Sequence, residues 1–436
     1  MPIPATGPEM DSKACQQSAR FQAFMAPEHH ENGFNRAERN VLLITCPCHF
    51  LTHFFVLVFP AVTMPMVATL GMPLEDVVKL SFVMYLAYGL GALPAGFLVD
   101  QWQARGMLVI GLVLMGGGML LAGAFPDPAA MAAFLGIVGA GASIYHPAGL
   151  ALISRTVRQR GYAMGINGVF GNLGIASAPL LTGILTWLFS WQATFMILGA
   201  AGIVTGLLLA LLRVDETVSR QSKAVAAGGT DLVRYFLILC VGLVFAGIAY
   251  RGNMLLLPAY LELNTTFFRD LIESFSFIKP QGTGTLAATV LASLVLLTGI
   301  FGQILGGRLA DRMDLRRAYL LVHAASLPFI FLMAFTTEYW LALCAAMYIF
   351  FSLGMQPVEN SLIAALTPTR WRSTSYAIKF VLNFGIGASA VYIIGAVKTA
   401  YSLESVYVFL SGVTLLLITS IAVLLVSSRN VASIRN

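Results

Sequence analysis

Gly307-Arg308-Leu309-Ala310-Asp311-Arg312-Met313-Asp314-Leu315-Arg316-Arg317 is a dense run of charge between two long apolar segments. A degraded copy, Gly96-Phe97-Leu98-Val99-Asp100-Gln101-Trp102-Gln103-Ala104-Arg105, lies upstream, its aspartate 211 positions before Asp311. Asn172-Leu173-Gly174-Ile175-Ala176-Ser177 and Asn383-Phe384-Gly385-Ile386-Gly387-Ala388-Ser389 recur at the same offset of 211. Two landmarks sharing one offset mark a duplicated unit of nearly half the chain.

Outward from those landmarks the chain is apolar. Of its 436 residues, 58% are hydrophobic and 11% charged, and the mean hydropathy is +0.81. A soluble domain carries about a quarter charged residues, so lipid is the solvent this composition suits. The apolar stretches have the roughly twenty residues that a helix needs to cross a bilayer. The 41 glycines and 18 prolines fit helices that pack closely and tolerate breaks. A net charge of +6 raises nucleic acid as a partner, but the bases gather in alternate short gaps, which is a topology signal. Cys15, Cys46, Cys48, Cys240 and Cys344 are scattered and form no disulfide framework. The first forty residues lack an apolar leader core, so no cleavable signal peptide is expected.

Twelve spans follow, at roughly 41–64, 77–98, 106–125, 129–153, 162–187, 192–212, 232–257, 285–306, 317–336, 339–363, 374–397 and 403–427. Five segments are therefore expected: a cytosolic tail over 1–40, a six-helix bundle over 41–212, a cytoplasmic linker over 213–231, a second six-helix bundle over 232–427, and a cytosolic tail over 428–436. Arg105, Arg155, Arg158, Arg213, Arg308, Arg316, Arg370 and Arg429 fall on one side, which places both termini in the cytoplasm. Six spans per half puts both charged loops on one face, as parallel repeats require. A short interfacial helix is expected around Phe267–Phe277.

The Gly-x-Leu-Ala-Asp-Arg-x-x-x-Arg run at 307–316 resembles the loop motif of the major facilitator superfamily, and the resemblance covers essentially the whole chain after residue 40. It implies an all-α membrane protein of twelve transmembrane helices in two pseudo-symmetric six-helix bundles, working by alternating access. It also implies that Asp100, Arg105, Asp311, Arg312 and Arg316 gate the cytoplasmic side. Tyr145-His146-Pro147-Ala148-Gly149, Gly171-Asn172 through Leu180, and Cys48-His49-Phe50-Leu51-Thr52-His53 look like the fosmidomycin-resistance exporters. That resemblance implies proton-driven antiport, with efflux of small, often anionic or drug-like solutes across a bacterial inner membrane. Ala148-Gly149 and Ala178 depart from the pattern of that group.

A charge at mid-membrane costs about 2.5–3.5 kcal/mol on insertion scales, so one kept there faces a partner or water. Glu359 is the acid placed clearly inside a span, and Arg251 and Lys379 are bases inside spans. The superfamily resemblance implies that spans 1, 4, 7 and 10 line the central cavity, and His53, His146, Arg251 and Glu359 fall one on each. His49 lies one turn before His53, on the same face. Tyr145, Gln356 and Asn360 flank these positions, and Asn172 and Asn383 match across the repeat. Glu359 is expected as proton carrier, with His146 as a relay, because burial and neighbouring charge tune such groups. Arg251 stays charged in any pocket and is expected to clamp an anionic group or pair with Glu359. Lys379 is expected to snorkel to the headgroups. The bland alternative is a helix-to-helix hydrogen bond for Glu359, His53 and His146, and snorkelling to the outer interface for Arg251.

Cys46, Cys48, His49 and His53 place two sulfurs and two imidazoles within two turns, which raises a transition metal or metal chelate as an alternative cargo. The cysteines two apart point to different faces. The expected partners are thus a small-molecule substrate, protons and the bilayer, with no cofactor, no nucleic acid and a monomeric chain. No phosphate loop, nucleophile elbow or His-Glu-x-x-His appears, so an enzyme is not expected.

Overall fold

In hydrocarbon the backbone must satisfy its polar groups within its own segment, so each long apolar stretch becomes a helix. The computed structural model describes residues 34–158, 160–214, 216, 230–275, 282–367 and 372–429. Among them twelve helices are long and apolar enough to span: α1 Arg36–Ala61, α2 Leu74–Val99, α3 Ala104–Ala124, α4 Pro128–Thr156, α5 Tyr162–Leu188, α6 Trp191–Ala210, α7 Leu232–Asn264, α8 Thr283–Arg312, α9 Leu315–Leu332, α10 Glu338–Leu366, α11 Thr374–Ala400 and α12 Leu403–Ser427. Most of the expected tail at 1–40, the centre of the linker at 213–231 and most of the tail at 428–436 lie outside the described residues.

Several helix ends differ from the sequence reading. Asn35 and Glu38 form a capping box that starts α1 at Arg36, inside the expected tail, because reciprocal capping satisfies the first orphan amides. Helix α7 runs on to Asn264, so Glu262, expected in a loop, is helical and accepts a 2.8 Å hydrogen bond from Thr285 Oγ1. The interfacial helix is Phe267–Glu273, shorter than expected.

The duplication shows in the packing. Helix pairs α1·α5, α2·α4, α3·α4 and α3·α6 in the first half match α7·α11, α8·α10, α9·α10 and α9·α12 in the second. The halves meet along α2·α11 and α5·α8. At the α2·α11 crossing, a Cβ on Gly89 would lie 2.0 Å from the Gly385 backbone nitrogen, so only glycine allows this approach. There α11 leaves the regular helix for a π turn, Val381–Gly385, and a 3₁₀ turn, Ile386–Ser389.

The charged loops act within each half. Arg105 donates to the Ala210 carbonyl at the end of α6, and Arg316, 211 positions later, donates to the Ser428 carbonyl just past α12. Asp314 caps α9 by accepting from Arg316 N at 3.0 Å and pairs with the Arg316 guanidinium. Burial pushes the Asp314 carboxyl up, and these partners more than offset that, holding it below the usual aspartate range. In the first half Gln103 stands at the matching position. Glu216 takes over by accepting from Ala104 N at 2.9 Å and Arg105 N at 2.8 Å. Arg105 therefore fastens α3 to α6 and Arg316 fastens α9 to α12, where the sequence reading has them in a latch with Asp100 and Asp311. Asp311 and Arg312 are exposed, and the Asp100 side chain lies outside the described part.

Among the described residues, the polar ties between the halves start at the face opposite the termini and reach mid-membrane. Lys398 pairs with Glu75, Leu180 N donates to Ser293 Oγ at 2.8 Å, and Asn172 bonds Gln303.

Candidate functional site

The site is built by prolines as much as by polar groups. Pro147 lacks an N–H, which breaks α4 into Pro128–Ser143 and Tyr145–Thr156. The bend brings Tyr145 and His146 to His49 and His53 on α1. Ring centroids lie 4.9 Å apart for His49–His53, 5.5 Å for His49–His146 and 5.4 Å for His53–His146. Tyr145 stacks on His49 at 4.5 Å and donates to Asn167 Oδ1 at 2.7 Å. His49 Nδ1 donates to the Asn167 carbonyl at 2.8 Å. Tyr88 on α2 meets His146 Nε2 at 3.2 Å, and Phe380 of the second half stacks on His146 at 4.3 Å. The three histidines remain half-buried.

Pro60 frees the Val56 carbonyl from the α1 ladder, and Tyr85 OH donates to it at 3.1 Å. That bond fixes the Tyr85 ring beneath Arg251, whose Cζ lies 3.9 Å from the ring centroid. Phe384 flanks the guanidinium at 5.2 Å and contacts Tyr88 at 4.7 Å, so Arg251 and the histidines share one aromatic enclosure. Arg251 is 2% exposed, and its Nε and one terminal nitrogen have no hydrogen-bond partner among the described residues.

Glu359 does not reach Arg251. Its carboxylate, 0% exposed, pairs with Lys379 at 2.7 Å and accepts from Tyr319 OH at 2.5 Å. Lys379 Nζ also donates to Asn360 Oδ1 at 2.7 Å. Lys379 is thus a buried partner rather than a snorkelling base, because a carboxylate within reach outweighs the stretch to the headgroups. It stands one residue before Phe380, the ring that stacks on His146. His323 packs edge-on to Tyr319 at 4.7 Å. A neighbouring cavity of about 10 Å³ is lined in part by Tyr250, His323, Ser326, Tyr348, Ser352 and Thr414, room for about one water.

The other expected positions lie outside the histidine group. Asn172, Gln303 and Gln356 form a chain of amides, with Asn172 Nδ2 donating to Gln303 Oε1 at 2.6 Å and Gln303 Nε2 donating to Gln356 Oε1 at 2.9 Å. They tie the halves together. Asn383 is buried in the π turn of α11 with its Oδ1 unpartnered. Cys48 lines a small void with Leu108, Leu112 and Tyr145, and Cys46 Sγ lies 3.9 Å from Asn167 Nδ2. Among the described residues, the group able to hold a metal is His49, His53 and His146, with neither cysteine. The cysteine faces diverge, as the spacing implies, because α1 stays helical through Pro47 between them.

Sequence reasoning missed Tyr85, Tyr88, Phe380, Phe384, Tyr319 and Asn167. Tyr85/Tyr88 and Phe380/Phe384 are aromatic pairs at helical spacing on the two helices that meet between the halves. That pattern was available, but aromatic residues at such spacing are also ordinary core.

The sequence profile described as Major Facilitator Superfamily matches residues 45–277. A probable L-galactonate transporter of Escherichia coli (strain K12) is 24% identical over 263 residues, 56% of this chain and 54% of its own length. The puromycin resistance protein of Streptomyces alboniger is 29% identical over 141 residues, 32% of this chain and 28% of its own length. The chain thus spans about half of the first relative and less of the second. A bacterial homologue of the human lysosomal transporter Spinster, solved inward-facing and unoccupied, superposes with a TM-score of 0.67 at 17% identity, over 93% of this chain and 99% of that one.

Proposed function

The chain belongs to the Major Facilitator Superfamily, and from that membership we propose that it carries a small organic anion together with a proton by alternating access. That it is a membrane transporter of small molecules, not an enzyme, follows from the family, its relatives and the fold. The observation that carries the finer reading is Arg251, a permanently charged guanidinium sealed between Tyr85 and Phe384 with unused donors. An uncompensated charge of this kind is costly in a bilayer, and an anion entering between the halves relieves the cost with charge-assisted hydrogen bonds. The match to an L-galactonate transporter supports an anionic cargo.

Glu359 and Lys379 supply the coupling. With Glu359 ionised, Lys379 is neutralised in place. A proton on Glu359 releases the ammonium charge beside His146, so the pocket gains positive charge as it gains the proton. Protonation and anion binding then reinforce each other, and the two move in one direction. Both termini are cytoplasmic in this reading, as the loop bases require. The packed face, held by Lys398 and Glu75, is then the outer one, and the conformation is closed to the outside.

Binding is tested by thermal shift on the purified protein with L-galactonate, with a sulfonate of similar size, and with neutral L-galactose. The anions should stabilise the wild type and lose the effect in Arg251→Gln, while the neutral sugar does nothing. Stabilisation by the sugar with inert anions would remove the anion reading. Proton-driven export is a second reading, favoured by the match to the puromycin resistance protein and by the exporter-like motifs of α4 and α5. It requires the proton and the cargo to compete rather than to assist each other.

A further inference from the structure

His49, His53 and His146 serve no step in the coupling above, yet their geometry is specific. One ligand nitrogen from each lies within 4.8 Å of the others, and the ring centroids form a nearly equilateral triangle with sides of 4.9, 5.4 and 5.5 Å. The geometry points to a site for a first-row divalent transition cation such as zinc or nickel, held by these three imidazoles. A fourth position is left for water or an anionic oxygen.

Three observations carry it. First, ligand nitrogens within 4.8 Å of one another can converge on one ion toward the nitrogen–zinc distance of about 2.0–2.1 Å. Second, His49 is oriented as a metal ligand is. Its Nδ1 faces a carbonyl oxygen that can only accept, so Nδ1 carries the proton and Nε2 presents its lone pair. Tyr88 holds His146 through Nε2 at 3.2 Å, leaving Nδ1 for the group, and His53 has no hydrogen bond among the described residues. Third, the ligand set is all imidazole and half-buried, which suits zinc, nickel or copper and not calcium or magnesium. Opposing charges are at hand: Arg251 lies against Phe384, which contacts Tyr88 beside His146, and Lys379 precedes Phe380, which stacks on His146. Both weaken the binding of a bare cation, and an anionic ligand on the cation offsets part of that repulsion. The cation site stands whether or not the cargo is an organic anion.

The full chain, purified without a polyhistidine tag into nanodiscs, is equilibrated with zinc chloride, and bound metal is counted by mass spectrometry. Cobalt(II) serves as a spectroscopic probe. The expected result is one zinc per chain, with cobalt ligand-field bands of low-coordinate nitrogen ligation. His53→Asn and His146→Asn should abolish both signals while the metal-free proteins melt as the wild type does. Tyr88→Phe should weaken binding by about 10–100-fold as the loss of an outer-shell partner. Arg251→Gln, which removes the anion clamp, should bind zinc at least as tightly as the wild type. Substoichiometric zinc on the wild type, or full zinc on the His53→Asn/His146→Asn double variant, would overturn the site. Should the histidine variants fail to fold, the cobalt spectrum of the wild type and the Tyr88→Phe shift decide.

Discussion

At the residue scale the Glu359–Lys379 pair is the most exposed to test. Its side chains are 0% and 10% accessible, so neither charge is screened by water. Removing one partner of a buried pair leaves the other uncompensated, at a cost of about 3–5 kcal/mol. Lys379→Met should therefore lower unfolding stability by about that amount, and adding Glu359→Gln should recover most of the loss, as chemical denaturation in detergent would show. A double variant no more stable than the single one would mean that the pair is not energetically coupled. The identity of these residues was readable from sequence, because a carboxylate inside a span is rare enough to stand out. Its partner was not. One turn into a span, a lysine reads as snorkelling until the fold brings a carboxylate within reach, and nothing local to Lys379 announces Glu359. Arg251 stood out for the same reason as Glu359, but the ring beneath it depends on Pro60 and a carbonyl on another helix.

At the element scale, glycine and proline decide how closely helices meet and where they bend. Gly89→Ala puts a methyl group against the Gly385 backbone, where no flexible side chain can yield. Overpacking of this kind costs about 1–3 kcal/mol. The variant should also open the packed face, so that a cysteine replacing Tyr392, which now packs on Phe82 at 4.7 Å, reacts faster with an impermeant maleimide. Unchanged labelling would show that α2 and α11 tolerate the added volume. Asp314→Ala removes a helix cap worth about 0.5–2 kcal/mol. The Asp314 carboxyl is held below its usual range, so its contribution is fully present above the ordinary aspartate pKa and fades as pH falls through the lowered value. The variant should lose that acid-side slope in stability against pH, and an unchanged profile would assign the slope elsewhere. The charged loops were found easily from sequence, but the partners of their arginines were not. The Arg105 and Arg316 partners are backbone carbonyls at the ends of α6 and α12, which carry no side-chain signature.

At the scale of the whole molecule, the offset of 211 between Asp100 and Asp311 was enough to foresee two matched bundles, because a duplicated sequence pattern folds into duplicated packing. What it could not foresee is where the symmetry breaks. The first half contributes three histidines, and the second contributes an arginine and an ion pair. The site exists only where α1, α2, α4, α7 and α11 converge between the halves. The arginine and the ion pair thus lie in one half, and the imidazoles that face them lie in the other.

The dependence of anion affinity on pH tests the proposed coupling of proton and anion most directly, measured by calorimetry with L-galactonate on the wild type and on Glu359→Gln. The account predicts that the wild type binds more tightly as the medium is acidified, by up to about tenfold per pH unit, the limit for uptake of one proton. Glu359→Gln, fixed in the uncharged form, should bind tightly throughout with little slope. Weaker binding by the wild type on acidification, or a slope in Glu359→Gln equal to that of the wild type, would contradict it.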